Sequence, residues 1–197
     1  MHSSSWGCSL NRQNIERVLA VLVAAGCPIP VLAQSDPLEE PFPAVLRVSE
    51  LDGEIGFQIN SVVGRDRMGW SVGTLGDFNG DGIDDVIIGA PFANPSGTAP
   101  GGGEAFIVFG SAAGFPAVFP AAGLDGTNGL ELRGARGPFD MGERAGSSVA
   151  GAGDLNGDGV ADAVIGAESA GVDRLERQAG KTYVVFGRPD GVFEPST

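Results

Sequence analysis

GDFNGDGIDDVIIGAP, residues 76–91, sets Asp77, Asn79, Asp81 and Asp85 at positions 1, 3, 5 and 9 of a glycine-rich loop and then runs into an apolar strand. GDLNGDGVADAVIGAE, residues 153–168, repeats the pattern with Asp154, Asn156, Asp158 and Asp162. Oxygen donors at odd positions converge when the backbone coils, and glycine at position 6 (Gly82, Gly159) permits the sharp turn. The position-7 carbonyls, of Ile83 and Val160, point inward in such a coil. Three carboxylates, one amide and one carbonyl are hard oxygens and suit Ca²⁺ far better than zinc or copper. About two Ca²⁺ per chain are expected. An EF-hand would need Glu at position 12, where Ile88 and Ile165 stand within apolar runs. A polar turn that binds nothing is the competing reading, since Asp, Asn and Gly are what turns prefer. The recurrence of the same donors at the same spacing argues against it.

The repeat extends well beyond the loops. The stretch from Leu51 pairs with the stretch from Leu124, and GEAFIVFG (103–110) pairs with GKTYVVFG (180–187). The offset is 124 − 51 = 73 at the start and 154 − 77 = 77 at the acidic loops, so the second unit carries four extra residues around 136–146. A repeat of this length decides the architecture. Each unit supplies strands at 70–77, 85–90 and 104–110, or 146–154, 162–167 and 181–187, with a weaker segment upstream, IGFQIN (55–60) or GLELRG (129–134). With 33 glycines, 13 prolines and 7% aromatic residues, short strands and tight turns are favoured over helices. The fold expected is all-β, two four-stranded antiparallel blades of a partial β-propeller.

Residues 1–33 read as a secretory signal peptide: Arg12 and Arg17 precede the apolar run VLAVLVAAG (18–26), and VLA (31–33) offers a cut after Ala33. VAAGC (23–27) loosely resembles a lipobox, with Ala24 where Leu is usual. The apolar core is too short to span a bilayer. Residues 34–50 read as a linker, 51–123 as repeat 1 and 124–197 as repeat 2. Both cysteines (Cys8, Cys27) and the one histidine (His2) lie in the export segment, so the mature chain has no thiol and no imidazole with which to build a catalytic triad. No enzyme activity is expected. Without residues 1–33 the net charge becomes 10 − 24 = −14, which disfavours nucleic acid and favours cations.

DFNGDGIDDVIIGAP followed by GEAFIVFG, and DLNGDGVADAVIGAE followed by GKTYVVFG, resemble FG-GAP repeats, the units of the seven-bladed propeller at the N-terminus of integrin α chains and of many secreted bacterial proteins. The resemblance implies Ca²⁺ on Asp77, Asn79, Asp81, Ile83 and Asp85, and on Asp154, Asn156, Asp158, Val160 and Asp162. It implies a secreted or cell-surface module for adhesion or for binding a protein or glycan. FG-GAP-like blades are also joined to hydrolases such as phospholipase D, so an accessory propeller of an enzyme is the alternative, and a structural remnant a third. Two repeats against seven lead us to expect a fragment of a longer propeller, or a short form completed by further blades or by self-association.

Overall fold

The computed structural model describes residues 45–61, 63–94, 101–135, 142–171 and 178–193. Residues 1–33, read above as a signal peptide, most of residues 34–50, read as a linker, and much of the four-residue insertion in repeat 2 lie outside these residues. Nine strands are described: β1 (Gln58–Asn60), β2 (Ser71–Gly76), β3 (Asp85–Ala90), β4 (Glu104–Val108), β5 (Val118–Pro120), β6 (Gly129–Arg133), β7 (Ala145–Gly153), β8 (Asp162–Ala167) and β9 (Lys181–Val185). Helical structure among them is confined to two three-residue 3₁₀ turns, Val48–Glu50 and Ala121–Gly123.

Blade 1 is the antiparallel sheet β2-β3-β4-β6 and blade 2 the antiparallel sheet β7-β8-β9. Two expectations are corrected here. The GLELRG segment, which opens repeat 2 in the sequence, supplies the outer strand of blade 1: β6 lies beside β4 with Ile107 opposite Leu130. Among the described residues blade 2 has three strands rather than the four expected. IGFQIN joins neither blade. Its residues Gln58–Asn60 pair in parallel with Val118–Pro120, in a two-stranded ribbon where Phe57 stacks on Phe115 at 4.0 Å.

The blades meet face to face. In β2, β3 and β4 the residues Gly73, Ile87 and Ile107 share one face, and this face packs on Val149, Ile165 and Tyr183 of blade 2 in a common core with Leu75, Phe78 and Phe109. The backbones approach closely enough that a Cβ on Gly146 would lie 2.3 Å from the carbonyl oxygen of Glu104, and Gly146 also holds a left-handed φ of +84°. Only glycine meets both demands. Ser71 Oγ donates to the Gly146 carbonyl across the joint at 2.9 Å.

One edge of blade 1 is acidic. Glu104 on β4 is buried and hydrogen-bonded to Glu131 on β6, with Asp66 nearby and Arg133 forming a two-pronged ion pair with Glu131 at 2.8 and 3.0 Å. Burial first, then the neighbouring Glu131, pushes the Glu104 carboxyl up to about 7, while the Arg133 bonds hold Glu131 below its ordinary value. An acid whose pKa rises on folding keeps a proton that the unfolded chain has lost. Stability therefore falls as pH rises through the window from the ordinary glutamate value to about 7. Melting temperatures measured from about pH 5 to about pH 8 should drop more steeply for the native chain than for Glu104→Gln, whose amide donates to Glu131 at every pH. Parallel profiles would contradict the shared-proton pair.

Candidate metal centres

Each acidic loop closes a β-hairpin, β2 to β3 in blade 1 and β7 to β8 in blade 2, and the two are built alike bond for bond. Asp77 is the hub of the first. Its Oδ1 accepts the N–H groups of Gly80 (2.7 Å) and Asp81 (3.0 Å), and its Oδ2 accepts Gly82 (2.9 Å). Asp154 receives Gly157, Asp158 and Gly159 in the second loop at 2.7, 3.0 and 2.9 Å. Asn79 Oδ1 accepts the Asp81 N–H and Asn79 Nδ2 donates to Asp81 Oδ2 at 2.9 Å; Asn156 and Asp158 repeat both bonds. Asp81 Oδ1 in turn accepts the Ile83 N–H at 2.8 Å, as Asp158 Oδ1 accepts Val160 at 3.1 Å. The glycines at position 6 have left-handed φ, +84° at Gly82 and +97° at Gly159. The sharp turn expected at position 6 is present in both copies.

Position 9 behaves differently from positions 1, 3 and 5. Asp85 and Asp162 are 1% and 0% exposed, whereas the tip residues lie at or near the surface. Asp85 Oδ2 accepts the N–H of Phe78 at 2.9 Å and Oδ1 that of Gly110 at 2.7 Å. Asp162 does the same with Leu155 (2.7 Å) and Gly187 (2.9 Å). Each carboxylate thus ties the loop's second residue to the glycine that follows the blade's third strand. Burial is the main influence raising the Asp85 pKa, opposed by these two bonds and reinforced by Asp81 and Asp77. The spacing marks these aspartates as oxygen donors and misses their backbone partners, one of which is 25 residues away. The signal that could have found this role is the apolar run that follows at once, since a residue opening a buried strand is itself buried.

The donor chemistry fits a hard divalent cation. A carboxylate oxygen accepts about two bonds, so Asp77 Oδ2, both oxygens of Asp81 and both of Asp85 retain capacity. In the arrangement described, no group of three or more His, Cys, Asp or Glu side chains among the described residues stands close enough to share an ion. The loops hold their shape through backbone amides.

Another buried acid is engaged elsewhere. Glu143, 2% exposed, accepts Lys181 Nζ at 2.7 Å and Tyr183 Oη at 2.5 Å, and sequence reasoning missed it because its partners lie 38 and 40 residues away. Every buried side-chain polar atom among the described residues has a hydrogen-bond partner.

The FG-GAP repeat pattern matches residues 68–108 and 145–185. The chain is 34% identical over 131 residues to phosphatidylinositol-glycan-specific phospholipase D of Bos taurus, covering 66% of this chain and 14% of that protein. It is 33% identical over 104 residues to integrin alpha-IIb of Mus musculus, covering 53% and 8%, and 35% identical over 134 residues to integrin alpha pat-2 of Caenorhabditis briggsae, covering 62% and 10%. The chain therefore spans about a seventh or less of the length of these relatives. No helix among the described residues is long and apolar enough to cross a membrane.

Proposed function

Because the chain carries two FG-GAP repeats, we propose that it is an extracellular, calcium-binding adhesion or recognition module with no catalytic role of its own. Its partner would be a protein or a glycan. The observation that carries this reading is the bond-for-bond identity of the two loops: the same amide-lined coil is built twice and presents Asp77–Asn79–Asp81 and Asp154–Asn156–Asp158 at the surface. Two turns of indifferent function would not need to keep an asparagine and three aspartates in register. Calcium would be held by Asp77, Asn79, Asp81 and Asp85 with the Ile83 carbonyl, and by Asp154, Asn156, Asp158 and Asp162 with the Val160 carbonyl. It would rigidify the loops and neutralise their like charges. Export follows from the residue 1–33 segment, and the relatives named integrins favour adhesion over other extracellular roles.

Titration calorimetry tests the calcium sites. About two Ca²⁺ should bind with Kd in the range of extracellular modules, roughly 10⁻⁴ to 10⁻³ M, and Asp81→Ala and Asp158→Ala should each remove one site and spare the other. Absence of both heat and thermal shift at millimolar calcium would sink the calcium reading. Chain recovered after export is the material to use, and its first residue, expected to be Gln34, reports the cut directly. The similarity to a phospholipase D supports a second reading, an accessory module of a larger hydrolase. Sequence continuous with this chain that encodes a catalytic domain would favour it.

A further inference from the structure

The relation between the repeats bears on the two blade faces that do not meet inside the chain. Through the strands and loops the offset between equivalent residues is constant, as in 149 − 72 = 77 and 183 − 106 = 77. The internal joint sets Gly73, Ile87 and Ile107 of blade 1 against Val149, Ile165 and Tyr183 of blade 2. The counterparts of the first trio are Ala150, Val164 and Val184, on the far face of blade 2. Those of the second are Val72, Ile88 and Phe106, on the far face of blade 1. The molecule therefore carries a second copy of each half of its own internal interface, at opposite ends.

These halves are open in part: Ala150 and Val184 are exposed on the far face of blade 2, and on the far face of blade 1 Val72 is exposed while Ile88 and Phe106 are buried. Inside the chain, β7 lies over β2 and β3, so the equivalent contact lays β2 of one copy over β7 and β8 of another. Val72 on β2 is 69% exposed and borders an apolar groove of about 640 Å³ that Val86, Phe57 and Met68 also line; on the far face of blade 2, Val184 is 48% exposed. Phe106 is already covered, by Ile59, Met68 and Leu124 among others.

The polar contacts match as well. The internal joint uses Ser71 Oγ on the Gly146 carbonyl, Ala161 N–H on the Asp77 carbonyl (2.7 Å) and Arg188 N–H on the Phe78 carbonyl (2.8 Å). Their six counterparts, Ser148, Gly69, Asp84, Asp154, Ser111 and Leu155, are all exposed. Gly69 repeats the left-handed φ of Gly146, +86° against +84°, and where a Cβ on Gly146 would strike a neighbouring backbone, one on Gly69 would meet nothing within 4 Å.

We propose that a second copy of this chain docks head to tail, the far face of blade 2 in one copy seating on the far face of blade 1 in the next and reproducing the internal joint. The contact is heterologous, so it propagates to a closed ring or an open stack.

The test is sedimentation of the full chain under reducing conditions, in calcium and in EDTA, beside Val72→Glu and Val184→Glu. Both substituted residues are exposed, and retention of the native thermal unfolding transition checks that each variant folds. The native chain should associate with rising concentration. Each variant alone should sediment as a monomer, having lost one of the two complementary faces. A mixture of the two should form one-to-one dimers, twice the mass of either and no larger, because one good face remains on each. A monomeric native chain, or association that survives in both variants, would overturn the proposal. So would one variant associating alone, which marks a face that pairs with itself. Association that persists in EDTA leaves the calcium question to calorimetry alone.

Discussion

Replacing Asp85 with alanine is expected to cost about 3 kcal/mol of folding stability, one of the largest losses available from a single polar residue in this chain. Its carboxylate satisfies the Phe78 and Gly110 N–H groups, and Phe78 itself is 0% exposed. Deleting the acceptor leaves both donors without a partner, and each buried orphan costs about 1–3 kcal/mol. Water entering the vacated space recovers part of that. Asp162→Ala should behave alike through Leu155 and Gly187. Asparagine is no remedy, since its NH₂ would face one of the two N–H donors. The contrast is Asp81→Ala at the exposed loop tip, whose bonds to Ile83 and Asn79 compete with water and whose loss should cost about 1 kcal/mol or less. Urea denaturation in EDTA separates the two. An Asp85→Ala chain within about 0.5 kcal/mol of the native one would show that the clamp carries no weight. A loss confined to calcium-loaded protein would mark Asp85 as a ligand alone.

The strand segments are legible in the sequence because the chemistry that forms them is local. DVIIGA and DAVIGA have the observed bounds of β3 and β8, and the loop glycines fell where left-handed φ was required. Pairing beyond the hairpin was harder to read. GLELRG alternates as a half-buried strand should, yet nothing within it states whether its partner lies before or after it. The structure pairs it backwards with β4, across 20 intervening residues. IGFQIN occupies the same place in repeat 1, but what the described residues offer beside it is Val118–Pro120, so it pairs there. The same limit hid the backbone duty of Asp85 and Asp162. Donor spacing reports what a loop could gather, whereas burial depends on which strand the loop leans against.

Phe78→Ala is the other change expected to be severe, at about 3–5 kcal/mol. The ring is fully buried, stacked on Phe193 at 5.3 Å with an interplanar angle of 5° and tilted against Phe109 at 6.5 Å. Its counterpart in the second loop is Leu155, 57% exposed, where Leu155→Ala should move the stability of the isolated chain by no more than about 0.5 kcal/mol. The two positions occupy the same place in the same hydrogen-bonded loop, so local structure does not separate them. What differs is the neighbour: residues 188–193 close over the first loop, through the Arg188 N–H on the Phe78 carbonyl, and no described residue does so for the second. The inequality therefore measures the contribution of an adjoining blade at this position. Equal losses at both sites in urea denaturation of dilute chain would mean that the packing around Phe78 is set within its own blade. A Leu155→Ala penalty that appears only as protein concentration rises would mean that a second copy has supplied the missing cover.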